Sequence, residues 1–251
     1  MIRIYLFTYA GDSEEALVCV RCARTALPEA VVTVVDDSAA PVPPEARRAL
    51  VAYGARYRRS SFPRCGNLRG PECVRGIIST LAGEAEENDV IVKIDSDTLL
   101  LSDGWILDMQ RNGLALHASG YQVPGHPSER SAYGPCYAIS GRAARLAAEE
   151  LMEADIPPLA PEDLTICRTI QGLFPPEQIR LDEPWAPFNR EGKWTAWNWF
   201  SIAVTPKKYA EFWMVTFGNP RPTNIPKSER ARAMDALYRY RFHKEEDGSS
   251  C

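Results

Sequence analysis

Short hydrophobic runs alternate with longer mixed stretches through the first 118 residues of the chain. Three apolar runs are typical of buried parallel strands: 2–8, 30–35 and 90–94. A shorter strand is predicted at 55–58, and three helices are predicted between the strands: 14–26, 45–53 and 72–87. Because strands and helices that alternate at this spacing form a parallel sheet with helices on both faces, the pattern predicts an α/β fold with a mainly parallel twisted sheet.

The pattern loosens in the second half of the chain. Fourteen of the 20 prolines lie from Pro124 onward, and five of the 6 tryptophans lie from Trp185 onward. The predicted strands and helices of this half are 114–118, 136–140, 142–154, 162–170, 195–204 and 228–244. We therefore expect one domain over residues 1–251, with a sheet-forming half at 1–118 and a loop-rich half at 119–251.

Composition and charge narrow the class of protein. Hydrophobic residues make up 45% and charged residues 25%, as in soluble globular proteins. The 29 Lys and Arg against 33 Asp and Glu give a net charge of −4, whereas a dedicated nucleic-acid binder shows a basic field. No apolar run approaches the roughly 18 residues of a membrane helix, and the first run is followed by Gly11 and Asp12, which favours a strand over a signal peptide. We expect a cytoplasmic protein without a transmembrane segment, compatible with peripheral membrane association.

The seven cysteines do not indicate a disulfide framework. Cys19 and Cys22 form a C-x-x-C pattern, which also occurs in zinc sites and redox pairs. They lie within a predicted helix, and no second C-x-x-C follows. Two small apolar residues on a helix are therefore favoured, and we expect all seven to be free thiols in a reducing compartment.

The strongest chemical signal is the D-x-D segment Asp95-Ser96-Asp97 at the end of the predicted strand 90–94. Since side chains alternate along a strand, Asp95 and Asp97 are expected to point the same way from its carboxyl end, where ligands of open α/β sheets bind. Two carboxylates there suit a hard divalent cation, Mn²⁺ or Mg²⁺, that keeps positions free for phosphate oxygens. A plain polar turn is the alternative, and the apolar residues on both sides of the segment disfavour it.

A second group of candidates lies at the ends of the first two strands. Asp36 and Asp37 end the second strand and are expected at the same edge as the D-x-D segment, together with Thr8 and Tyr9. These four residues outline a pocket for the base and ribose of a nucleotide. The chain has neither a G-x-G-x-x-G after the first strand nor a G-x-x-x-x-G-K-[ST].

A third motif, Glu162-Asp163, opens the helix predicted at 162–170. Pro161 followed by acidic residues is also the ordinary signal of a helix start, and the motif alone favours that interpretation. The segment from Gly134 to Gly141 lies about twenty residues upstream and includes the strand predicted at 136–140, and its presence favours a functional role for the motif.

GT-A type glycosyltransferases have motifs that resemble these in the same order along the chain: the strand ends at Thr8-Tyr9 and Asp36-Asp37, the D-x-D segment, the segment from Gly134 to Ser140, and Glu162-Asp163. The similarity covers roughly residues 1–175 and is greatest to inverting enzymes, including the fringe and β-1,3-galactosyltransferase group. Those enzymes combine a K-x-D-x-D segment, a G-x-x-Y-x-x-S strand and an E-D helix start. Here the corresponding segments are Lys93 to Asp97, Gly134 to Ser140, and Glu162-Asp163.

The resemblance implies a metal-dependent transfer of sugar from a nucleotide-sugar, such as a UDP-sugar, to an acceptor hydroxyl with inversion. Residues 1–118 would bind the nucleotide-sugar and residues 119–251 the acceptor. Asp97 would hold the metal ion, Asp95 would be a second metal ligand or contact the ribose of the nucleotide-sugar, and Asp163 would act as the general base. His243 is the candidate third metal ligand, because many enzymes of this fold take one from a C-terminal histidine; an exposed histidine is the favoured alternative.

The resemblance also implies roles for the remaining candidates. Arg75, Lys93 and Ser96 are expected to contact the nucleotide-sugar, although Arg75 and Lys93 are equally suited to solvated or structural ion pairs. On the acceptor side we expect Tyr137, Glu162 and Trp197. Aromatic rings stack on sugars, and core packing explains the tryptophan equally well.

Two other function classes remain open. A nucleotidyltransferase shares this type of sheet, but it normally has a Gly-rich basic loop after the first strand, where this chain has the acidic segment 9–15. A non-catalytic protein that binds a nucleotide or a carbohydrate is the other class, and the intact Asp95, Asp97 and Asp163 disfavour it.

Overall fold

The computed structural model describes residues 1–63, 68–123, 125–126, 129–182, 209–210, 212–218 and 225–243. Its strands are, in chain order, β1 (Ile2–Thr8), β2 (Val31–Asp36), β3 (Arg56–Arg59), β4 (Val90–Asp95), β5 (Thr98–Leu100), β6 (Leu116–Gln122), β7 (Arg130–Ser140), β8 (Ile179–Asp182) and β9 (Met214–Thr216). Its α-helices are α1 (Ser13–Ala26), α2 (Pro44–Ala52), α3 (Pro71–Ala82), α4 (Gly104–Asn112), α5 (Gly141–Glu153), α6 (Glu162–Leu173) and α7 (Lys227–Phe242).

Seven of these strands form one mostly parallel sheet, which confirms the expected fold class. The strand order is β3-β2-β1-β4-β7-β6-β8, and β5 pairs with β9 in a separate two-stranded sheet. Strands β1 to β4 are mutually parallel, whereas β7 runs antiparallel to both β4 and β6. The carboxyl ends of β1, β2 and β4 therefore lie at the same edge of the sheet as the first residues of β7. Ligands of open α/β sheets bind at this edge.

Both faces of the sheet are buried, which explains why its central strands are continuously apolar. Along β1, Ile4 and Leu6 pack into the hydrophobic cluster that includes α1 and α7, and Tyr5 and Phe7 pack into the cluster that includes α3, α5 and α6. No helix in the described part of the chain is long and apolar enough to cross a bilayer.

The elements from β1 to β4 follow the expected order, and the differences lie farther along the chain, beginning with the unexpected strand β5. Strand β7 begins at Arg130, six residues before the expected start, because Gly134 and Pro135 conceal a strand in the sequence pattern. Helix α4 and strand β8 were not expected; α4 has only nine residues and β8 only four. The strand expected at 195–204 lies outside the described residues.

The cysteines within the described residues are free and buried, as expected: Cys19, Cys22, Cys73, Cys136 and Cys167. The first two lie on α1 and face the core. Burial raises the pKa of both thiols, so they remain protonated apolar groups.

Close packing at the start of α5 gives a test of the fold. A Cβ at Gly141 would overlap the carbonyl oxygen of Glu86, so the backbone must shift to accept any side chain there. We expect Gly141→Ala to lower the free energy of unfolding by about 1–3 kcal/mol in urea denaturation. Gly172→Ala, within α6, is the matched control, because a Cβ at Gly172 would meet no described atom within 4 Å. The control should be neutral or up to about 1 kcal/mol more stable, and equal stability of the two variants would contradict the packing described.

Candidate active site

The D-x-D segment forms the turn between β4 and β5. Asp95 is the last residue of β4, and Ser96 and Asp97 follow in the turn. The Ser96 amide donates to the Phe7 carbonyl at 3.1 Å, and its buried hydroxyl donates to Asp12 Oδ2 at 3.2 Å. These bonds hold the turn against the end of β1. Because Asp97 lies beyond the strand, strand alternation does not set its direction, and the two aspartates have different partners.

Asp97 is enclosed by residues from the C-terminal part of the chain. Its Oδ2 lies 3.4 Å from Nη1 of Arg230, on α7, and its carbonyl accepts a hydrogen bond from the Phe217 amide at 2.8 Å. Gly218 passes so close that a Cβ there would overlap the Asp97 carboxylate. A side chain at position 218 would therefore have to displace the Asp97 carboxylate.

Four carboxylates lie at this turn or next to it, and we call them the carboxylate cluster: Asp12, Glu15, Asp95 and Asp97. Burial, reinforced by Asp95 and Asp12, raises the pKa of Asp97 to about 7, although Arg230 opposes the shift. Burial also raises the pKa of Glu15. Repulsion from neighbouring carboxylates thus adds to the effect of burial at this edge, and a divalent cation would relieve that repulsion.

Lys227, the first residue of α7, provides a second cation to the cluster. Its Nζ lies 3.1 Å from Asp12 Oδ1 and donates a hydrogen bond to the Tyr9 hydroxyl at 2.8 Å. The Lys227 side chain is 48% exposed, whereas that of Arg230 is only 13% exposed. Lys227 is therefore the more accessible of the two cations to a ligand.

A second group of residues, which we call the lysine network, lies beside the cluster: Lys93, Asp95, Tyr137 and Glu162. The fully buried Nζ of Lys93 lies 2.7 Å from Asp95 Oδ1, 2.7 Å from Glu162 Oε1 and 2.7 Å from the carbonyl oxygen of Gly134. The Tyr137 hydroxyl donates to Glu162 Oε2 at 2.9 Å. The network joins β4, β7 and the first turn of α6.

The charges of the lysine network depend on one another. Burial lowers the pKa of Lys93, but the adjacent carboxylates of Asp95 and Glu162 outweigh it and raise the pKa overall. Burial raises the pKa of Glu162 to about 7 even beside this cation. Lys93 therefore remains charged and is fully engaged with protein oxygens, as in the structural ion pair that was one of its two expected roles.

Asp163 lies next to the lysine network at the start of α6. Its Oδ1 accepts a hydrogen bond from the Leu164 amide at 2.8 Å, and its carboxylate lies against Gly134, where a Cβ would come within 2.6 Å of Oδ2. Burial raises the pKa of Asp163. Unlike Glu162, which is 2% exposed, Asp163 is only partly buried, so a ligand can approach it.

The residues expected to line a nucleotide pocket lie at the predicted edge, but Asp36 already has structural partners. The Asp36 carboxylate is fully buried and accepts hydrogen bonds from the Val42 amide and the Tyr57 hydroxyl. Asp37 is also buried, and its Oδ1 accepts from the Ala39 amide at 3.0 Å. Both carboxylates thus stabilise the loop that follows β2.

Thr8 and Tyr9 lie beside this loop, at the end of β1. The hydroxyl of Thr8 is buried and lies 3.5 Å from the carbonyl oxygen of Tyr9, and the Tyr9 ring is half-buried beneath Lys227. Tyr9 therefore links the predicted pocket to the carboxylate cluster.

Two of the expected site residues have other contacts. Arg75 donates to the carbonyls of Leu151 and Ala154, at 3.0 and 2.8 Å, and so caps the C-terminal end of α5. His243 lies thirteen positions beyond Arg230 along α7, which corresponds to about 20 Å, and its Nε2 lies 3.0 Å from the Tyr238 hydroxyl. The structure therefore does not bring His243 to the D-x-D turn.

Trp197 falls outside the described residues. Within the described residues, no three His, Cys, Asp or Glu side chains converge as a preformed metal site. The carboxylates at the turn nevertheless fit a Mg²⁺-type ion, which proteins usually bind through one or two carboxylates together with substrate phosphates.

Lys227 and Arg230 were missed by sequence reasoning. They lie three residues apart at the start of α7, and this spacing places them on one face of the helix. The signal in the sequence was the pair of basic residues at positions i and i+3, which could be matched to the acidic residues near the D-x-D segment.

Comparison with known structures identifies the fold. The galactosyltransferase LgtC, solved in complex with donor and acceptor sugar analogues, matches with a TM-score of 0.50 and 14% identity, over 94% of this chain and 95% of LgtC. The apo-form glycosyltransferase GlyE of Streptococcus pneumoniae matches with a TM-score of 0.53 and 8% identity, over 96% of this chain and 62% of GlyE. The chain has the GT-A type fold of these glycosyltransferases. Comparison with protein-family models and with curated protein sequences gives no match.

In this GT-A fold, the close approach of Gly218 to Asp97 is testable. Gly218→Ala should displace the Asp97 carboxylate from Arg230. Since the sequence predicts that this turn binds UDP with Mn²⁺, we expect the variant to weaken that binding at least tenfold, as measured by calorimetry. Gly172→Ala should bind as wild type does. Unchanged affinity in Gly218→Ala would separate Asp97 from the nucleotide site.

Proposed function

We propose that the protein is a metal-dependent glycosyltransferase that moves a sugar from a nucleotide-sugar, a UDP-sugar in the first instance, to an acceptor hydroxyl with inversion. The observation that carries the proposal is the position of the D-x-D turn. It lies at the carboxyl end of central strand β4, within a GT-A type fold, and its two carboxylates stand near those of Asp12 and Glu15.

The leaving group of such a transfer is a nucleoside diphosphate, on which negative charge grows as the sugar departs. Asp97 and Asp95 would hold Mn²⁺ or Mg²⁺, which when bound neutralises that charge. Lys227 supports the same assignment, because its half-exposed ammonium group stands at the cluster and can pair with a phosphate oxygen.

The acceptor hydroxyl is a poor nucleophile and needs a carboxylate to take its proton. Asp163 is the candidate for this base, since it is partly exposed and its raised pKa makes it a stronger base than an ordinary aspartate. Glu162 and Tyr137 are 2% and 1% exposed and hydrogen-bond to each other, so we assign them to the support of Asp163 rather than to direct contact with the acceptor. The acceptor itself is a glycan, a lipid-linked sugar or a small molecule with a free hydroxyl.

The metal assignment is tested by Asp97→Asn, which removes the carboxylate with little change in shape. We expect transfer to be abolished and the Mn²⁺-dependent part of UDP binding to disappear, while the melting temperature stays within a few degrees of wild type. Asp155→Asn, at an exposed position after α5, is the control and should behave as wild type. Retention of Mn²⁺-dependent UDP binding in Asp97→Asn would exclude Asp97 as a ligand.

Inversion is tested by Asp163→Asn together with the configuration of the product. A general base contributes about 10²–10⁴-fold, so kcat should fall by that factor while UDP binding survives. Proton NMR of the wild-type product should show the anomeric configuration opposite to that of the donor. A product that keeps the donor configuration, or near-normal turnover in Asp163→Asn, would overturn this part of the proposal.

A further inference from the structure

The Lys93 ammonium group has a complete set of protein partners. An ammonium group has three N–H bonds, and Nζ has three oxygens at 2.7 Å, one each from Asp95, Glu162 and Gly134. The side chain is 0% exposed. Lys93 therefore has no donor left for a diphosphate in this arrangement, which argues against its expected role as a nucleotide-sugar contact.

The three partners of Lys93 lie in two parts of the proposed active site, one at the metal ligands and the other at the proposed base. Asp95 lies two residues before Asp97, in the D-x-D turn on the metal side. Glu162 directly precedes Asp163, the proposed base, and the Gly134 carbonyl belongs to the residue against which the Asp163 carboxylate packs. One buried cation thus fixes the backbone on which both functional carboxylates are carried.

We propose that Lys93 is a positioning residue: its ammonium group ties the D-x-D turn to the first turn of α6 and so sets the separation of Asp97 and Asp163. This inference rests on the proposed function, since a separation between metal ligand and base matters only if donor and acceptor meet between them. Tyr137 completes the arrangement by holding the second oxygen of Glu162.

The proposal predicts a particular kinetic pattern. A misplacement of about 1 Å in reacting groups costs on the order of 10²-fold in rate. Lys93→Met should therefore lower kcat at least 100-fold, whereas the dissociation constant of UDP in Mn²⁺ should change less than tenfold. Lys93→Arg should not restore kcat, because a planar guanidinium does not match three oxygens grouped around a single point.

Substitutions at Glu162 test the proposal independently, because they leave Lys93 unchanged. Glu162→Gln preserves the shape and an oxygen acceptor for Lys93, so kcat should stay within about tenfold of wild type. Glu162→Ala removes the tie to α6 and should lower kcat at least 100-fold, with the acceptor KM changed less than threefold. A rise in acceptor KM that accounts for the loss would instead identify Glu162 as an acceptor contact.

Arg3→Met is the matched control for simple loss of a buried ion pair. Arg3 Nε lies 2.7 Å from Asp89 Oδ2, and the two side chains are 12% and 4% exposed, at the opposite edge of the same sheet. This variant should lower the melting temperature, as we also expect for Lys93→Met, and leave kcat at the wild-type value.

The results of these experiments distinguish failure of the positioning role of Lys93 from failure of the proposed function. Equal kcat in wild type and Lys93→Met, or a UDP affinity that falls as much as kcat, overturns the positioning role. If Lys93→Met does not fold, the Glu162→Gln and Glu162→Ala pair decides, and equal kcat in those two variants overturns the role. A wild-type protein that transfers no sugar contradicts the proposed function itself and is thereby distinguished from failure of this inference.

Discussion

The site depends on the burial of one positive charge. Lys93 lies in the middle of an apolar strand, fully removed from water, and an unpaired ammonium group there would cost several kcal/mol. The carboxylates of Asp95 and Glu162 compensate that cost, together with the Gly134 carbonyl. The first turn of α6 must therefore lie against the end of β4, and this requirement places Asp163 at the edge of the sheet.

Small residues make the close approach of these elements possible. Gly134 leaves room for the Asp163 carboxylate, and Gly218 leaves room for that of Asp97. On one side of the turn Asp95 faces Lys93, and on the other side Asp97 faces Arg230. Each carboxylate of the D-x-D turn thus has one basic partner, and the half-exposed Lys227 leaves the carboxylate cluster accessible to a cation and a phosphate.

Local sequence pattern predicted much of the first half of the fold, because strands buried on both faces are continuous apolar runs. It also placed Asp97 at a sheet edge and Asp163 at a helix start. It did not predict the partners of Lys93 or Asp97, since these contacts join residues 41 and 133 positions apart and follow only from the packing of β7 and α7. The Lys93–Asp95 pair itself was visible in principle, because residues two apart on a strand share a face. The position of Asp36 at the sheet edge followed from the topology, but the partners of its carboxylate, the Val42 amide and the Tyr57 hydroxyl, depend on the loop after β2 and on β3.

The most direct test of the account measures consumption of a panel of UDP-sugars by the wild-type protein, with simple glycoside acceptors, in Mn²⁺ and in excess chelator. The account predicts that one UDP-sugar is consumed in Mn²⁺, with release of UDP matched by a new glycoside, and that consumption stops in chelator. Consumption that is equal in chelator, or turnover of a nucleoside triphosphate in place of any nucleotide-sugar, would contradict it.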